Sequence, residues 1–257
     1  MNKVIVITGA SSGIGLQLKK NYQKDGDIVI NLSRSAQEDE FNFKVDVSNK
    51  ELICLTFEKI YNKYKKIDVL INCAGYGVFG ANELLEEEKC KKIFDVNFYG
   101  TLWCCQSALK YMTKGAKIIN ISSACALFAL PFRSMYSASK SAVNMMTYGL
   151  RMELKNYGIK VCCICPGDIK SNFSKNRDIT FATNEKYQDR IIKSVKKIEE
   201  RENGRMDLIK TSKKIYKICN KNRLKAVYIV GAKYKCLNFF SKFASISAIL
   251  NITNNFF

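Results

Sequence analysis

The first two dozen residues constrain the fold more than any other stretch. Val4-Ile5-Val6-Ile7 sets four β-branched residues in a row, the composition of a buried strand. Glycines follow at 9, 13 and 15, and then Leu16, Leu18 and Tyr22 recur at helical spacing. Strand, glycine-rich turn and helix bring backbone N–H groups and a helix N-terminus to one point, where a pyrophosphate can be held. The spacing is G-x-x-x-G-x-G rather than the common G-x-G-x-x-G. A tight strand-to-helix connection would use the same glycines, so the rest of the chain has to decide.

The alternation continues. Residues 27–33, 41–45, 68–73, 116–122 and 159–165 read as further strands, and 226–230 as a late one. Helices are expected over 49–65, capped by Ser48 or Asn49, over 83–94 and 96–112, and from 135 to 157, ended by Gly158. Strand-helix alternation predicts an α/β fold: a doubly wound parallel sheet with helices on both faces, three layers α/β/α. In such sheets ligands bind at the carboxyl ends of the strands. Thr8, Ser33, Asp46, Asn72, Ser123 and Pro166 each follow a predicted strand on that edge.

No linker divides the 257 residues, and Pro131 and Pro166 are the only prolines, so one domain over 1–257 is expected. The eleven cysteines sit mostly in apolar runs, as small buried hydrophobes do in a reducing compartment. No metal site is expected: histidine is absent, and Cys163-Ile164-Cys165 has no matching second pair. No apolar run reaches the ~18 residues of a membrane span. The apolar start is too short for an export signal, which points to a cytoplasmic protein.

The net charge of +19 is uneven, with 17 Lys/Arg against 5 Asp/Glu in residues 186–242. Nucleic acid, an anionic membrane or an anionic substrate could use that excess. A solvated, lysine-rich surface is the plainer reading, and no nucleic-acid partner is expected. In the tail, 232–257, Cys236, Leu237, Phe239, Phe240, Phe243, Ile246, Ile249 and Leu250 follow a helical repeat beside Lys233, Lys235 and Lys242. The tail is read either as a helix packed on the domain or a dimer partner, or as a segment in weak peripheral contact with a membrane surface.

Tyr136 and Lys140 stand four apart, on one face of a helix. A cation beside a phenol favours phenolate and lowers a tyrosine pKa from its usual ~10, which would suit Tyr136 to acid/base work. Taken with Thr8-Gly9, Gly13 and Gly15, Asn72-Cys73-Ala74-Gly75, Asn97, Ser122-Ser123 and Pro166-Gly167, in that order, the pair resembles the classical short-chain dehydrogenase/reductase family over about residues 3–172. The resemblance implies a Rossmann-type fold and hydride transfer between a nicotinamide and a carbonyl carbon. It makes Tyr136 the acid/base, and Lys140 the residue that holds the nicotinamide ribose. Ser123 would orient the substrate oxygen, and Asn97 would anchor a water in the proton relay. Gly9, Ser11, Ser12, Gly13, Ile14 and Gly15 would bind the pyrophosphate and adenosine, with Asp46 and Val47 at the adenine. Asn72, Ala74 and Gly75 would line the cofactor, and Pro166, Gly167, Ile169 and Ser171 would frame the nicotinamide. The chain departs from the family pattern at Cys73, usually a second asparagine, at 124–126, where a glycine is frequent, and at Ser171, often threonine.

Cofactor choice turns on the end of the second strand. NAD-binding folds place an acidic residue there for the ribose 2′-hydroxyl. Here the sequence is Leu32-Ser33-Arg34-Ser35. Arg34 can pair with a 2′-phosphate while Ser33 or Ser35 hydrogen-bonds it, so NADP(H) is preferred and NAD(H) remains open. Tyr76, Val78, Phe79 and Phe128 could line a substrate pocket under an apolar lid over 173–210 carrying Phe173, Ile179, Phe181 and Tyr187. A hydrophobic ketone, aldehyde or alcohol is expected, with a 3-oxoacyl reductase acting on an acyl carrier as a specific alternative and a non-catalytic NADP-binding regulator as another. The resemblance also implies a homodimer or homotetramer.

Overall fold

The computed structural model describes residues 2–171, 173, 178–180, 185–200 and 204–255. Its strands are β1 (Val4–Thr8), β2 (Ile28–Ser33), β3 (Asn42–Lys44), β4 (Val69–Asn72), β5 (Val78–Phe79), β6 (Lys117–Ile121), β7 (Lys160–Pro166), β8 (Asp178–Ile179) and β9 (Val227–Val230). Its α-helices are α1 (Gly13–Lys24), α2 (Lys50–Tyr64), α3 (Glu87–Phe94), α4 (Gly100–Leu109), α5 (Ser134–Glu153), α6 (Glu185–Glu200), α7 (Leu208–Cys219), α8 (Ala232–Phe240) and α9 (Ile246–Asn255).

Seven strands form one parallel sheet in the order β3-β2-β1-β4-β6-β7-β9. Its period of two is visible in β1. Val4 and Val6 join a core with Ile53, Phe57 and Ile60 of α2 and Cys104 of α4. Ile5 and Ile7 point the other way, to Leu18 and Tyr22 of α1 and Ile215 of α7. Each such fully buried aliphatic side chain contributes roughly 1.5–3 kcal/mol. Both faces of the sheet are therefore covered, and this is why its central strands read as unbroken apolar runs.

The order of strands reverses direction beside β1, with β2 on one side and β4 on the other. Thr8 and Asn72 end β1 and β4 in register. This switch point at the carboxyl edge is where an open α/β sheet leaves a crevice.

Several local details differ from the sequence expectation. Asn49, not Ser48, caps α2, its Oδ1 accepting from Leu52 N–H at 2.9 Å. The helix through Tyr136 ends at Glu153, four residues early. The predicted helices at 83–94 and 96–112 become a 3₁₀ turn, α3, a π turn at Asp95–Tyr99 and α4. The predicted continuous tail divides into α8 and α9. The two-residue strands β5 and β8 pair with each other outside the main sheet and were not expected. Among the described residues, no helix is long and apolar enough to cross a membrane.

Candidate active site

The glycine turn after β1 is built by contacts that leave no room for larger residues. Gly9 has φ +69°, and a Cβ there would lie 3.0 Å from the Ala74 backbone. A Cβ on Gly15 would lie 2.5 Å from the Gly9 carbonyl oxygen. Thr8 Oγ1 accepts from the N–H groups of Cys73 and Ala74, both at 3.0 Å. From β2, buried Asn31 accepts the Ala10 N–H at 3.0 Å and donates to Ser11 Oγ at 3.3 Å. Ser11 and Ser33 share a 2.5 Å hydrogen bond between hydroxyls. Ser12 stands at the N-cap of α1 without a side-chain capping bond, and the first turn has no acidic residue. The positive end of α1 is thus left for an external anion.

A cavity of about 690 Å³ opens over this turn and runs along the carboxyl edge of the sheet. Gly9, Ser11, Ser12, Gly13, Ile14 and Gly15 line one end, with Ser33, Arg34, Ser35, Asp46 and Val47. Ala74, Gly75, Ser123, Tyr136 and Lys140 line its middle, with Pro166, Gly167, Ile169 and Ser171. Arg34 is exposed on the rim, and residues 33–35 hold no carboxylate. Asp46 turns one carboxylate oxygen inward to accept the Ser48 N–H at 2.9 Å and its hydroxyl at 2.7 Å.

Two predicted residues lie behind this wall rather than on it. Asn72 does not line the cavity; its Nδ2 donates to Asn120 Oδ1 at 2.9 Å and to Cys105 Sγ at 3.4 Å. Its side-chain NH2 is therefore committed across the sheet, whereas Ala74 and Gly75, expected with it to line the cofactor, line the cavity. Asn97 is fully buried in the π turn. Its Nδ2 donates to the Tyr76 carbonyl at 3.1 Å and to Ser139 Oγ at 3.0 Å. Ser139 Oγ in turn donates to the Tyr136 carbonyl at 2.8 Å. Its side chain thus braces two cavity-lining segments from behind.

Tyr136 is half-buried in the first turns of α5, its ring 5.8 Å from that of Phe173. Lys140 lies one turn further on and is only 4% exposed. Its Nζ donates to the Ile121 carbonyl at 3.1 Å. Burial pulls its pKa down from the usual 10.5 to about 8, against an upward pull from the thiols of Cys73 and Cys165. Gly75 makes room here, since a Cβ would meet Asn97 Oδ1 at 2.9 Å and Lys140 Nζ at 3.2 Å. Ser123 caps the short 3₁₀ turn Ala124–Ala126, its Oγ accepting from Cys125 N–H at 3.1 Å. Ser122 Oγ donates to the Lys140 carbonyl at 3.1 Å, fastening β6 to α5. Two hydroxyls and an ammonium therefore share one wall, a set able to donate hydrogen bonds to a developing oxyanion.

The apolar residues divide differently from expectation. Tyr76, Val78 and Phe173 line the cavity, joined by Arg133 and Lys92, which were not foreseen. Phe79 is instead buried in a separate cluster with Ile191, against which Ile179 and Tyr187 pack. Phe128 is buried off the cavity. Phe181 lies outside the described residues. Asn31 was read only as a strand residue; the available signal was a polar amide within an apolar run, where asparagine is depleted.

A family model described as short chain dehydrogenase matches residues 3–180. The 3-ketodihydrosphingosine reductase of Bacteroides thetaiotaomicron is 39% identical over 207 residues, covering 78% of this chain and 77% of that protein. The crystal structure of a short-chain dehydrogenase from Streptomyces avermitilis superposes with a TM-score of 0.84 at 25% identity, over 98% of this chain and 95% of that one. ElxO with NADP bound superposes with a TM-score of 0.75 at 25% identity, over 92% of this chain and all of that one. The chain belongs to the short-chain dehydrogenase family.

Proposed function

We propose that this chain, an oxidoreductase of the CH–OH/C=O class, uses NADPH to reduce a hydrophobic ketone or aldehyde, with Tyr136 as proton donor. The observation that carries this reading is the shared wall: Ser123, Tyr136 and Lys140 face one cavity that reaches the glycine turn and Arg34. The fit to NADP rests on this chain's own residues. The uncapped N-terminus of α1 suits a pyrophosphate. Arg34, with Ser33 and Ser35, suits a 2′-phosphate, because no carboxylate stands at 33–35 to repel it. The NADP-bound structural neighbour agrees with that choice.

When bound, the nicotinamide supplies the hydride. The protein supplies the rest. Ser123 and the Tyr136 hydroxyl would both hydrogen-bond the carbonyl oxygen, and Tyr136 would release its proton as negative charge grows there. Lys140 would hold the nicotinamide ribose and keep positive charge beside the phenol. Asn97 and Ser139 would position Tyr136 by fixing its backbone. Phe173, Tyr76 and Val78 would favour an apolar substrate body. The relative from Bacteroides thetaiotaomicron is named for a long-chain keto compound, which favours a lipid-like substrate here.

The test follows loss of NADPH absorbance against a carbonyl panel that includes 3-ketodihydrosphingosine, short 3-oxoacyl thioesters and small polar aldehydes. Turnover is expected on the long apolar ketones, with NADPH favoured over NADH. Turnover confined to small polar carbonyls would refute the substrate class. NADPH binding without turnover on any member would favour a regulator.

A further inference from the structure

The last 50 residues, 208–257, contain ten Lys/Arg and no Asp or Glu. The same region carries the most exposed apolar surface. Phe239 and Phe240 at the end of α8, Phe243 in the connection and Ile246 at the start of α9 are each more than half exposed. The Phe239 ring lies 5.8 Å from that of Phe240 and 5.5 Å from that of Phe243, so the aromatic residues form one cluster. Leu250, one turn on from Ile246 on the same face of α9, is also exposed. Lys235 and Lys242 flank the cluster in solvent.

We propose that α8 and α9 dock this protein on an anionic lipid bilayer, with the phenylalanine cluster entering the headgroup boundary and the lysines meeting lipid phosphates. An exposed apolar patch bordered by cations of one sign is the composition of an interfacial helix. The two helices have 9 and 10 residues. At 1.5 Å per residue each is about half the length needed to span a bilayer, so they lie along it. A second copy of the chain fits this face less well. A two-fold contact would set the same lysines against each other with no carboxylate from 208–257 to offset them. Positive charge continues where α9 meets α6. Arg190, Lys193, Lys196 and Lys197 line a cleft of about 360 Å³ beside Asn254, with Glu200 its acidic member.

The docked helices are mechanically tied to the cavity. The Tyr234 hydroxyl, on α8, accepts the Asp168 N–H at 3.2 Å. The Tyr234 ring occupies the space of a missing Gly167 side chain, where a Cβ would fall 1.9 Å from it. Both Gly167 and Asp168 line the cavity. Docking would thus bring the cavity to the surface that holds apolar substrates, although the docking itself requires neither the cofactor nor Tyr136.

The experiment is co-sedimentation of the full chain with phosphatidylcholine vesicles, with and without phosphatidylglycerol, at low and high salt. Binding is expected only to the phosphatidylglycerol vesicles, and high salt should release it. F239S/F240S/F243S and, separately, K235E/K242E should each weaken binding at least tenfold, with NADPH affinity and melting temperature retained. The charge-reversal protein keeps the test decisive where the serine variant does not fold. No sedimentation, or equal sedimentation with neutral vesicles, overturns the proposal. So does a dimer, seen by ultracentrifugation, that either variant dissociates in the absence of vesicle binding, because the face would then belong to a second copy.

Discussion

Asn97 grips both backbone polar groups of Tyr76. Its Oδ1 accepts the Tyr76 N–H at 3.0 Å, and its Nδ2 donates to the Tyr76 carbonyl at 3.1 Å. One buried amide on the π turn therefore fixes the loop after β4, which forms the middle of the cavity wall. The π turn itself is where a helix locally takes in an extra residue, a feature frequent at functional sites. Thr101 Oγ1 bonds the Asn97 carbonyl at 2.8 Å, so the backbone there is held as well.

Replacing Asn97 by alanine orphans the Tyr76 backbone N–H and carbonyl, while Ser139 Oγ keeps its bond to the Tyr136 carbonyl. A loss on the order of 3 kcal/mol in unfolding free energy is expected, from about 1–3 kcal/mol per unsatisfied buried group. Asn97→Asp should be worse at neutral pH, because a carboxylate would face the Tyr76 carbonyl in place of a donor. Urea denaturation of the two variants checks this. Equal stabilities for Asn97→Asp and wild type would contradict the hydrogen-bond account.

The glycine turn gives a graded prediction. Gly15→Ala would drive a methyl group to 2.5 Å from the Gly9 carbonyl and should abolish NADPH binding. Gly13→Ala meets no protein atom within 4 Å, and within the protein only its φ of +55° opposes it, although the methyl group would project at the cavity. That left-handed strain costs roughly 1–2 kcal/mol, so the variant should fold and lose less NADPH affinity than Gly15→Ala. Fluorescence titration with NADPH ranks the pair; the reverse order would rule out the packing argument.

How much of this was legible in the chain differs by element. The central strands are visible because strands buried on both faces are nearly unbroken apolar runs, as in Val161-Cys162-Cys163-Ile164-Cys165. β5 and β8 carry two residues each, too few to show a period. The break between α8 and α9 has no glycine or proline in residues 241–245, and its one local mark is Ser245, whose Oγ accepts the Ala248 N–H at 3.2 Å at the start of α9. Most of the predicted site residues line the cavity because their place at a strand end fixes their direction. Asn72 sits at such an end, yet its amide turns to Asn120, a partner 48 residues away on β6. Spacing along the chain does not reveal which of two directions a side chain takes when the choice depends on a neighbouring strand.

Arg34 should discriminate the cofactors. Arg34→Ala is expected to raise the Michaelis constant for NADPH about 10–100-fold, the range of a charge-assisted hydrogen bond of roughly 1.5–3 kcal/mol. The constant for NADH should move by less than threefold. Steady-state kinetics with both cofactors decides, and equal effects would remove Arg34 from the phosphate site.

Lys140 gives a pH dependence. Its pKa in the folded protein is depressed to about 8 from 10.5, so the folded state binds fewer protons between those values. Its desolvation penalty is then fully present below pH 8 and is relieved as pH rises toward 10.5. Lys140→Met removes that titration. The stability of the methionine variant relative to wild type, without cofactor, should fall by on the order of 3 kcal/mol across this window. Denaturation at pH 7.5 and pH 10.5 measures the change; a constant difference would mean that Lys140 is not held at a depressed pKa.

The most direct test of the proposed chemistry is a single substitution. Tyr136→Phe removes one hydroxyl and leaves the ring beside Phe173. With a substrate that wild type turns over, kcat is expected to fall about 10²–10⁴-fold, while the Kd for NADPH stays within threefold. A Tyr136→Phe enzyme that retains wild-type kcat would contradict the assignment of Tyr136 as the proton donor.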